Sequence, residues 1–235
     1  MSYKNNPGIE NYFIGDQYNC QRTCITENFW NEPRILREPQ NGGKPVLDFI
    51  FKNFVANYHP CSILDIGCGP SQKMYHFLGS NPEIRITGID SAQAVVLAKD
   101  FNPSGTYHIC DLDSDVELSI VSKKMGIFDI ILCIDVIEHV LHPEKMCKLI
   151  KQHAYQETKI FYTTLERDLS RGKDSGLYGS PKIEHIREWN QEEFVDFIKY
   201  MGFVVDDIII TPLDISGKIS TRHMYNQTLI CRLDV

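Results

Sequence analysis

The chain has 235 residues, enough for one large domain or two small ones and for a sizeable buried core. Its composition, with 43% hydrophobic and 23% charged residues, is that of a globular protein and excludes a disordered chain. The net charge of −7 disfavours nucleic acid and anionic membranes as main partners, because neither attracts an acidic protein.

The eight cysteines are scattered along the chain, and none forms a CxxC pair. This usage predicts a reduced, cytoplasmic protein with buried thiols. Residues 1–14 are polar and lack the basic and apolar parts of a secretory signal. No apolar run approaches the roughly 20 residues needed to span a bilayer. The oligomeric state is open, and a homodimer is compatible with the sequence.

The pattern along the chain predicts an N-terminal extension over 1–43 and one domain over 44–235. The extension is irregular, rich in Asn, Pro and aromatic residues, and ends in the breaker 41–43. Its aromatic residues, together with Arg34 and Arg37, are candidates for a lid over a ligand or for a dimer contact. From Lys44 to Asn57 hydrophobic residues recur at helical spacing.

Short apolar runs then alternate with helix-like stretches. This alternation predicts βαβ units and a mostly parallel sheet with helices on both faces. The predicted strands are 62–66, 85–89, 105–109, 128–134 and 159–163, and the predicted helices are 72–78, 92–99, 115–124 and 143–154.

The C-terminal part has a different pattern. Residues 164–189 show little periodicity, and loops this long are usually lids or binding loops. Asn190 is then predicted to cap a helix that runs to Met201 and stops at Gly202. Two final strands follow over 203–210 and 225–233.

A glycine turn follows the first predicted strand. Gly67 and Gly69 let the backbone turn sharply and let a ligand approach closely. The third glycine of dinucleotide-binding turns is missing, and Asp65 would repel a pyrophosphate but hold a cation. The segment resembles the first motif of class I S-adenosylmethionine-dependent methyltransferases. That resemblance implies that Asp65, Gly67, Cys68 and Gly69 bind this cofactor.

Two further acids follow the next two strands. Asp90, beside Ser91, ends the second strand, where a carboxylate can accept hydrogen bonds from both ribose hydroxyls. NAD enzymes use the same device, and capping of the next helix is the alternative role. After the third strand, the resemblance implies that Asp111 bonds the adenine amino group and that Leu112 packs against its ring. An ordinary acidic surface turn is the alternative there.

The stretch 128–140, FDIILCIDVIEHV, is the most specific in the chain. It resembles the methyltransferase subgroup that includes the ubiquinone-biosynthesis O-methyltransferases and many small-molecule and sugar methyltransferases. The resemblance implies that Ile134 and Asp135 lie beside the sulfonium and the incoming substrate. If a helical turn begins at Asp135, Glu138 and His139 share its face.

Three roles are open for Glu138 and His139. His139, with an ordinary pKa of about 6.5, suits a general base that takes a proton from a substrate hydroxyl. Alternatively, Asp135, Glu138 and His139 surround a divalent cation, as in the acid-x-x-Glu-His metal motif of the resembled quinone and small-RNA 2′-O-methyltransferases. The RNA enzymes draw a further histidine from downstream, and His185 is available. In the third interpretation the pair only orients the loop.

The segment 185–189, His-x-Arg-Glu-Trp, resembles a segment before the last large helix of methyltransferases. His185 is a second candidate base, and the charged residues with Trp189 could bind a hydroxylated or charged substrate. The alternative is a solvated Arg187–Glu188 pair and a Trp189 that fills the core.

The resemblance as a whole implies a Rossmann-like, doubly wound α/β fold with a seven-stranded sheet whose last strand, 225–233, is reversed. It implies in-line methyl transfer from S-adenosylmethionine, with S-adenosylhomocysteine as product. The Glu-His pair favours O-methylation of a small-molecule acceptor such as a sugar, a glycan precursor or a natural product. The alternatives are N-methylation of a small molecule, an NAD-dependent oxidoreductase and a non-catalytic protein that binds the cofactor.

Overall fold

The computed structural model describes residue 12 and residues 29–37, 43–57, 61–78, 81–213 and 224–234. Most of the predicted extension, including Cys20 and Cys24, lies outside these residues. The predicted boundary at residue 43 therefore stays a prediction.

The seven strands form one sheet in the order β3-β2-β1-β4-β5-β7-β6. All neighbouring pairs are parallel except the two made by β7, which is the reversed strand inserted between β5 and β6. The predicted fold class is confirmed. The strands are β1 Cys61–Ile66, β2 Ile84–Asp90, β3 Thr106–Ile109, β4 Ile130–Ile134, β5 Lys159–Leu165, β6 Phe203–Leu213 and β7 Met224–Leu233.

Helices α1 and α2 precede the first strand, and the other helices lie between strands along the chain, as the alternation predicts. Asn190 caps the last helix by a capping box with Glu193, and Gly202 follows its end with φ of 83°. The helices are α1 Glu32–Arg37, α2 Gly43–Asn53, α3 Gln72–Leu78, α4 Ala92–Phe101, α5 Asp115–Ser122, α6 Pro143–His153, α7 Arg167–Arg171 and α8 Gln191–Tyr200.

Two short helices were not expected. Helix α1 lies in the extension, and α7 lies in the stretch 164–189 that was predicted to be irregular. Both are too short to show hydrophobic periodicity. Helix α7 is held at its N-terminal end instead: the Glu166 side chain accepts a hydrogen bond from the Leu169 N–H, and Arg167 is paired with Glu193.

Alternate residues of the central strands point into cores on opposite faces of the sheet. Leu64 and Ile66 pack with α5, α6 and α8, whereas Ile63 packs with α2 and α3. Both strand faces are buried, as is usual for a parallel sheet. The six described cysteines are free and buried, in agreement with the expectation of buried thiols. None of the described helices is long and apolar enough to cross a membrane.

Candidate functional site

A cavity of about 1140 Å³ opens at the carboxyl ends of the parallel strands. Ligands bind at this edge in doubly wound sheets. Every residue singled out in the sequence as a cofactor, catalytic or metal candidate lines it. They are Asp65, Gly67, Cys68, Gly69, Asp90, Ser91, Asp111, Leu112, Ile134, Asp135, Glu138, His139 and His185.

The glycine turn needs its glycines for two reasons. Gly67 and Gly69 have φ of 68° and 53°, in the left-handed region that favours glycine. A Cβ on Gly67 would also lie 2.3 Å from Val136 Cγ2, and a Cβ on Gly69 would lie 2.9 Å from the Trp30 ring. The turn therefore packs directly against Val136 of the stretch 128–140 on one side and against Trp30 of the N-terminal extension on the other.

Asp65 lies buried at the bottom of the cavity. Burial, together with the nearby Asp90 carboxylate, raises its pKa to about 7, and the charge of Lys73 opposes this rise. An uncompensated buried carboxylate is costly, so a cationic ligand group would be stabilised beside it.

Asp90 is held by the turn that it faces. Its Oδ2 accepts a hydrogen bond from the Gly69 N–H at 2.8 Å, and its Oδ1 accepts one from the Ser91 N–H at 2.6 Å. Burial raises its pKa, although these two bonds oppose the rise. Ser91 occupies the N-cap of α4, but its side chain makes no cap hydrogen bond. Each carboxylate oxygen retains a second lone pair for a ligand hydroxyl.

The turn after β3 lines the other end of the same cavity. Asp111 is exposed and Leu112 is buried, so an acceptor and an apolar surface lie side by side. The next acid, Asp113, also lines the cavity and accepts hydrogen bonds from the N–H groups of Leu141 and His142. These bonds connect this turn to the loop that follows the stretch 128–140.

Asp135 does not begin a helical turn. Its φ is 55°, a conformation that is rare outside glycine. Its Oδ1 accepts hydrogen bonds from the Thr163 hydroxyl at 3.0 Å and the Asn226 amide at 2.8 Å. Neighbouring strands thus hold a strained backbone in place, which is typical of functional sites. The expected common helical face of Asp135, Glu138 and His139 is wrong.

Glu138 and His139 both lie against the cavity wall. Glu138 is 2% exposed, and burial together with Asp135 raises its pKa to about 8. Within the described residues, its Oε2 has no hydrogen-bond partner. His139 Nδ1 donates to the Glu184 carbonyl at 2.7 Å, so its lone pair is on Nε2. Burial and the nearby His185 lower its pKa to about 3, which keeps the ring neutral.

His185 is backed by a carboxylate. Its Nδ1 donates to Glu188 Oε1 at 2.7 Å, which puts the lone pair of the neutral ring on Nε2. Glu188 also accepts hydrogen bonds from Arg171 and Ser180. Although burial opposes ionisation, the bonds from His185, Arg171 and Ser180 lower the pKa of Glu188 to about 2. The His185 ring is therefore hydrogen-bonded to an ionised carboxylate.

The two histidine rings meet edge to face, with centroids 4.9 Å apart. One ligand atom each from Glu138, His139 and His185 lies within 4.8 Å of the others. His185 thus joins Glu138 and His139 in a group that could hold a cation. Thr163 and Asn226 both bond Asp135 Oδ1, and the predicted metal set of Asp135, Glu138 and His139 stays a prediction.

Two other residues of the 185–189 segment, Arg187 and Trp189, are buried in the core. Trp189 is fully buried against Phe194 and Phe197 and is not among the cavity-lining residues. Arg187 is also fully buried, and its Nη2 donates to the Leu141 carbonyl at 2.9 Å. A solvated Arg187–Glu188 pair and a substrate-facing Trp189 are therefore both wrong. Trp189 fills the core, as the alternative interpretation has it.

Phe29, Trp30 and Arg34 of the N-terminal extension line the cavity. The Arg34 guanidinium lies 3.3 Å from the centre of the Phe29 ring and 3.5 Å from the Glu184 carboxylate. The Trp30 backbone N–H and carbonyl each make a hydrogen bond with the Gln93 side chain. The lid interpretation stays a prediction. The expected Arg37 side chain lies outside the described residues.

The sequence does not identify Asn226, Thr163 or Gln93 as site residues. Each of them reaches the site from a distant part of the chain or through another side chain. Glu188 belongs to the predicted 185–189 segment, but it acts through His185 and not on a ligand directly.

Comparison with known proteins agrees with this geometry. A family model described as a methyltransferase domain matches residues 33–208. The ubiquinone biosynthesis O-methyltransferase of Idiomarina loihiensis is 23% identical over 163 residues, which cover 68% of this chain and 63% of that protein. The chain thus covers less than two thirds of that relative. The Paraburkholderia phytofirmans enzyme of the same name is 22% identical, over 94% of this chain and 98% of that protein.

Among solved structures, a methyltransferase dependent on S-adenosylmethionine from Anabaena variabilis superposes with a TM-score of 0.61. It is 13% identical, and the match covers 83% of this chain and 86% of that one. This likeness supports the fold alone. The family match spans most of the chain and includes strands β1 to β5, the glycine turn and the acids that line the cavity. The chain therefore belongs to the methyltransferase domain family, and its fold is like that of the S-adenosylmethionine-dependent methyltransferase from Anabaena variabilis.

Proposed function

We propose that the protein transfers the methyl group of S-adenosylmethionine to a hydroxyl oxygen of a small-molecule acceptor, with S-adenosylhomocysteine as product. The observation that carries this proposal is the carboxylate-backed histidine, His185, next to His139 at the cavity wall. A hydroxyl nucleophile must lose its proton during methyl transfer, and a positioned imidazole is the usual base. The names of the relatives, O-methyltransferases, support the same choice.

The cofactor site in this proposal follows the strand ends. Asp65 faces the cationic methionine end, Asp90 and Ser91 face the ribose, and Asp111 with Leu112 faces the adenine. Gly67, Cys68 and Gly69 form the floor, and Ile134 and Asp135 flank the sulfonium. The residues present fit this cationic cofactor, because buried carboxylates with raised pKa values line the cavity.

The base in this proposal is His185 rather than His139. The imidazolium formed at His185 would be stabilised by the Glu188 carboxylate at 2.7 Å, whereas that at His139 faces only a neutral carbonyl. His139 and Glu138 then orient the acceptor hydroxyl. Since the leaving group is neutral and the methyl group activated, most of the catalysis is positioning, which can contribute roughly 7–11 kcal/mol.

A divalent cation is the second candidate for activating the hydroxyl. Glu138, His139 and His185 offer a carboxylate and two imidazoles, a donor set that suits first-row transition metals. The Glu138 Oε2 atom without a hydrogen-bond partner among the described residues fits such a role. When bound, a cation would acidify the acceptor hydroxyl.

The size of the cavity supports a small-molecule acceptor. A volume of about 1140 Å³ has room for the cofactor and a small molecule. A sugar, a glycan precursor and a natural product all carry hydroxyl groups of the required kind. N-methylation of a small molecule is the alternative reaction. Family membership argues against an NAD-dependent oxidoreductase, and a protein that binds the cofactor without turnover is the remaining rival.

The direct test is release of S-adenosylhomocysteine from S-adenosylmethionine over a panel of phenols, sugars and amines. We expect turnover on hydroxylated acceptors and none on amines. Turnover on amines alone would overturn O-methylation, and cofactor binding without turnover on any acceptor would support the non-catalytic rival. Assays after EDTA treatment, with Mg²⁺ or Mn²⁺ added back, separate the two ways of activating the hydroxyl. Activity that survives EDTA treatment would eliminate the cation.

Cofactor affinity should depend on pH through Asp65. Because the pKa of Asp65 is about 7, this carboxyl group is mostly protonated below pH 7 when the site is empty. It must then lose its proton before the cationic methionine end can bind. Affinity for S-adenosylhomocysteine should therefore be highest above pH 7 and fall roughly tenfold between pH 8 and pH 6. Calorimetric titration at several pH values checks this.

The charged neighbours of Asp65 are Asp90 and Lys73, and both are retained in the control variant Asp65→Asn. This variant should bind more weakly, with an affinity that no longer changes over this range. A pH dependence that persists in Asp65→Asn would assign the titration to another group and contradict the prediction.

A further inference from the structure

Two buried polar atoms near the glycine turn lack hydrogen-bond partners among the described residues, and one is a donor whereas the other is an acceptor. They are the Trp30 Nε1–H donor and the Gln72 Oε1 acceptor. Both side chains line the cavity, together with Asp65 and Lys73. Because a buried polar atom without a partner costs about 1–3 kcal/mol, such atoms usually meet a ligand or water.

Trp30 is held too firmly for its orientation to be incidental. Its N–H donates to Gln93 Oε1 at 3.3 Å, and its carbonyl accepts from Gln93 Nε2 at 3.2 Å. Its ring packs on Gly69, where a Cβ would approach within 2.9 Å, and against Phe29 edge to face. The residue is 9% exposed. The indole is therefore fixed over the glycine turn.

The chemistry of the two atoms matches the two ends of an α-amino acid. A carboxylate accepts hydrogen bonds and suits an indole N–H and the Lys73 cation, whereas an ammonium group donates and suits an amide oxygen and a carboxylate. Trp30, Gln72, Lys73 and Asp65 all line the same cavity. A donor, an acceptor and charges of both signs in one cavity are what a zwitterion requires.

We propose that Trp30 Nε1–H binds the carboxylate of the cofactor's methionine moiety and that Gln72 Oε1, beside Asp65, binds its ammonium group. This inference rests on the proposed placement of the cofactor. It assigns the carboxylate to Trp30 rather than to an arginine of the extension. Arg34, the arginine whose side chain is described, is engaged with Glu184 and Phe29.

The test compares three ligands by calorimetric titration. S-Adenosylhomocysteine carries both charged groups, decarboxylated S-adenosylmethionine lacks the carboxylate, and 5′-methylthioadenosine lacks both. Trp30→Phe, which keeps a ring on Gly69, should weaken S-adenosylhomocysteine about tenfold and leave the other two unchanged. Gln72→Leu should weaken S-adenosylhomocysteine and decarboxylated S-adenosylmethionine but not 5′-methylthioadenosine.

Fluorescence provides an independent readout, because Trp30 and Trp189 are the two tryptophans of the chain and Trp189 is fully buried in the core. We expect the change in emission on binding S-adenosylhomocysteine to vanish in Trp30→Phe. Equal weakening of all three ligands, or of none, would overturn the inference. If the wild-type protein binds none of the three, the proposed cofactor site itself is wrong. Thermal unfolding of each variant establishes that it is folded.

Discussion

Replacing His185 with alanine is expected to slow methyl transfer by about 10²–10⁴-fold, the range typical for loss of a general base. The affinity for S-adenosylhomocysteine should stay close to the wild-type value, because His185 is not among the proposed cofactor contacts. The rate constant is measured from S-adenosylhomocysteine release with the best acceptor from the panel, at saturating concentrations of both substrates. Affinity is measured separately by calorimetry.

The control is His108→Ala, which removes a histidine from β3 that is not among the cavity-lining residues. This variant should retain wild-type turnover. Glu188→Gln provides a graded test, since the amide retains an oxygen for His185 Nδ1–H but cannot stabilise the imidazolium by charge. Its rate should fall between those of wild type and His185→Ala. Undiminished turnover in His185→Ala would refute its role as the base.

The second large effect concerns the stability of the fold. Glu188→Leu should lower the free energy of unfolding by about 3–5 kcal/mol, because it leaves the Arg171 guanidinium without its carboxylate in a buried setting. Glu188 is 1% exposed and is bonded to Arg171, His185 and Ser180, so little water can replace it. In a chain of this size, the loss corresponds to roughly 6–20 °C in Tm. Chemical denaturation and calorimetry measure it.

Two matched variants sharpen this prediction. Arg232→Met breaks an exposed pair with Asp206 and should change the free energy of unfolding by less than about 1 kcal/mol. The double variant Glu188→Leu/Arg171→Met removes both buried charges and should recover part of the loss. If Glu188→Leu were no more destabilising than Arg232→Met, the carboxylate would not hold this loop together.

Most of the fold could be predicted, because local patterns in the sequence indicate the strands and helices and their ends. The strands are short apolar runs, and the glycine turn, the Asn190 cap and Gly202 mark the ends of elements by well-understood backbone chemistry. The cofactor candidates could be predicted for the same reason: each directly follows a strand, and parallel strands bring their carboxyl ends to one edge. Helix α7 could not be predicted, because five residues are too few to show a helical period of hydrophobic residues.

The details of the acceptor site could not be predicted in the same way. Asp135 meets Asn226 across 91 positions of sequence, and only the inserted strand β7 brings the two together. The left-handed backbone of Asp135 is held by tertiary contacts that override local propensity. The charges at 187 and 188 resemble a surface pair in sequence, and only the tertiary structure reveals that both side chains are buried.

The position of β7 also orders events during synthesis of the chain. Strands β1 to β5 form a contiguous block and can pair as soon as they leave the ribosome, whereas β6 has β7 as its sheet neighbour. Until β7 emerges, the edge of β5 stays open and β6 stays unpaired, and such edges invite aggregation. Asn226 lies on β7, so its hydrogen bond to the Asp135 carboxylate forms last. A nascent chain halted before β7 should therefore hold most of the sheet but lack a finished active site.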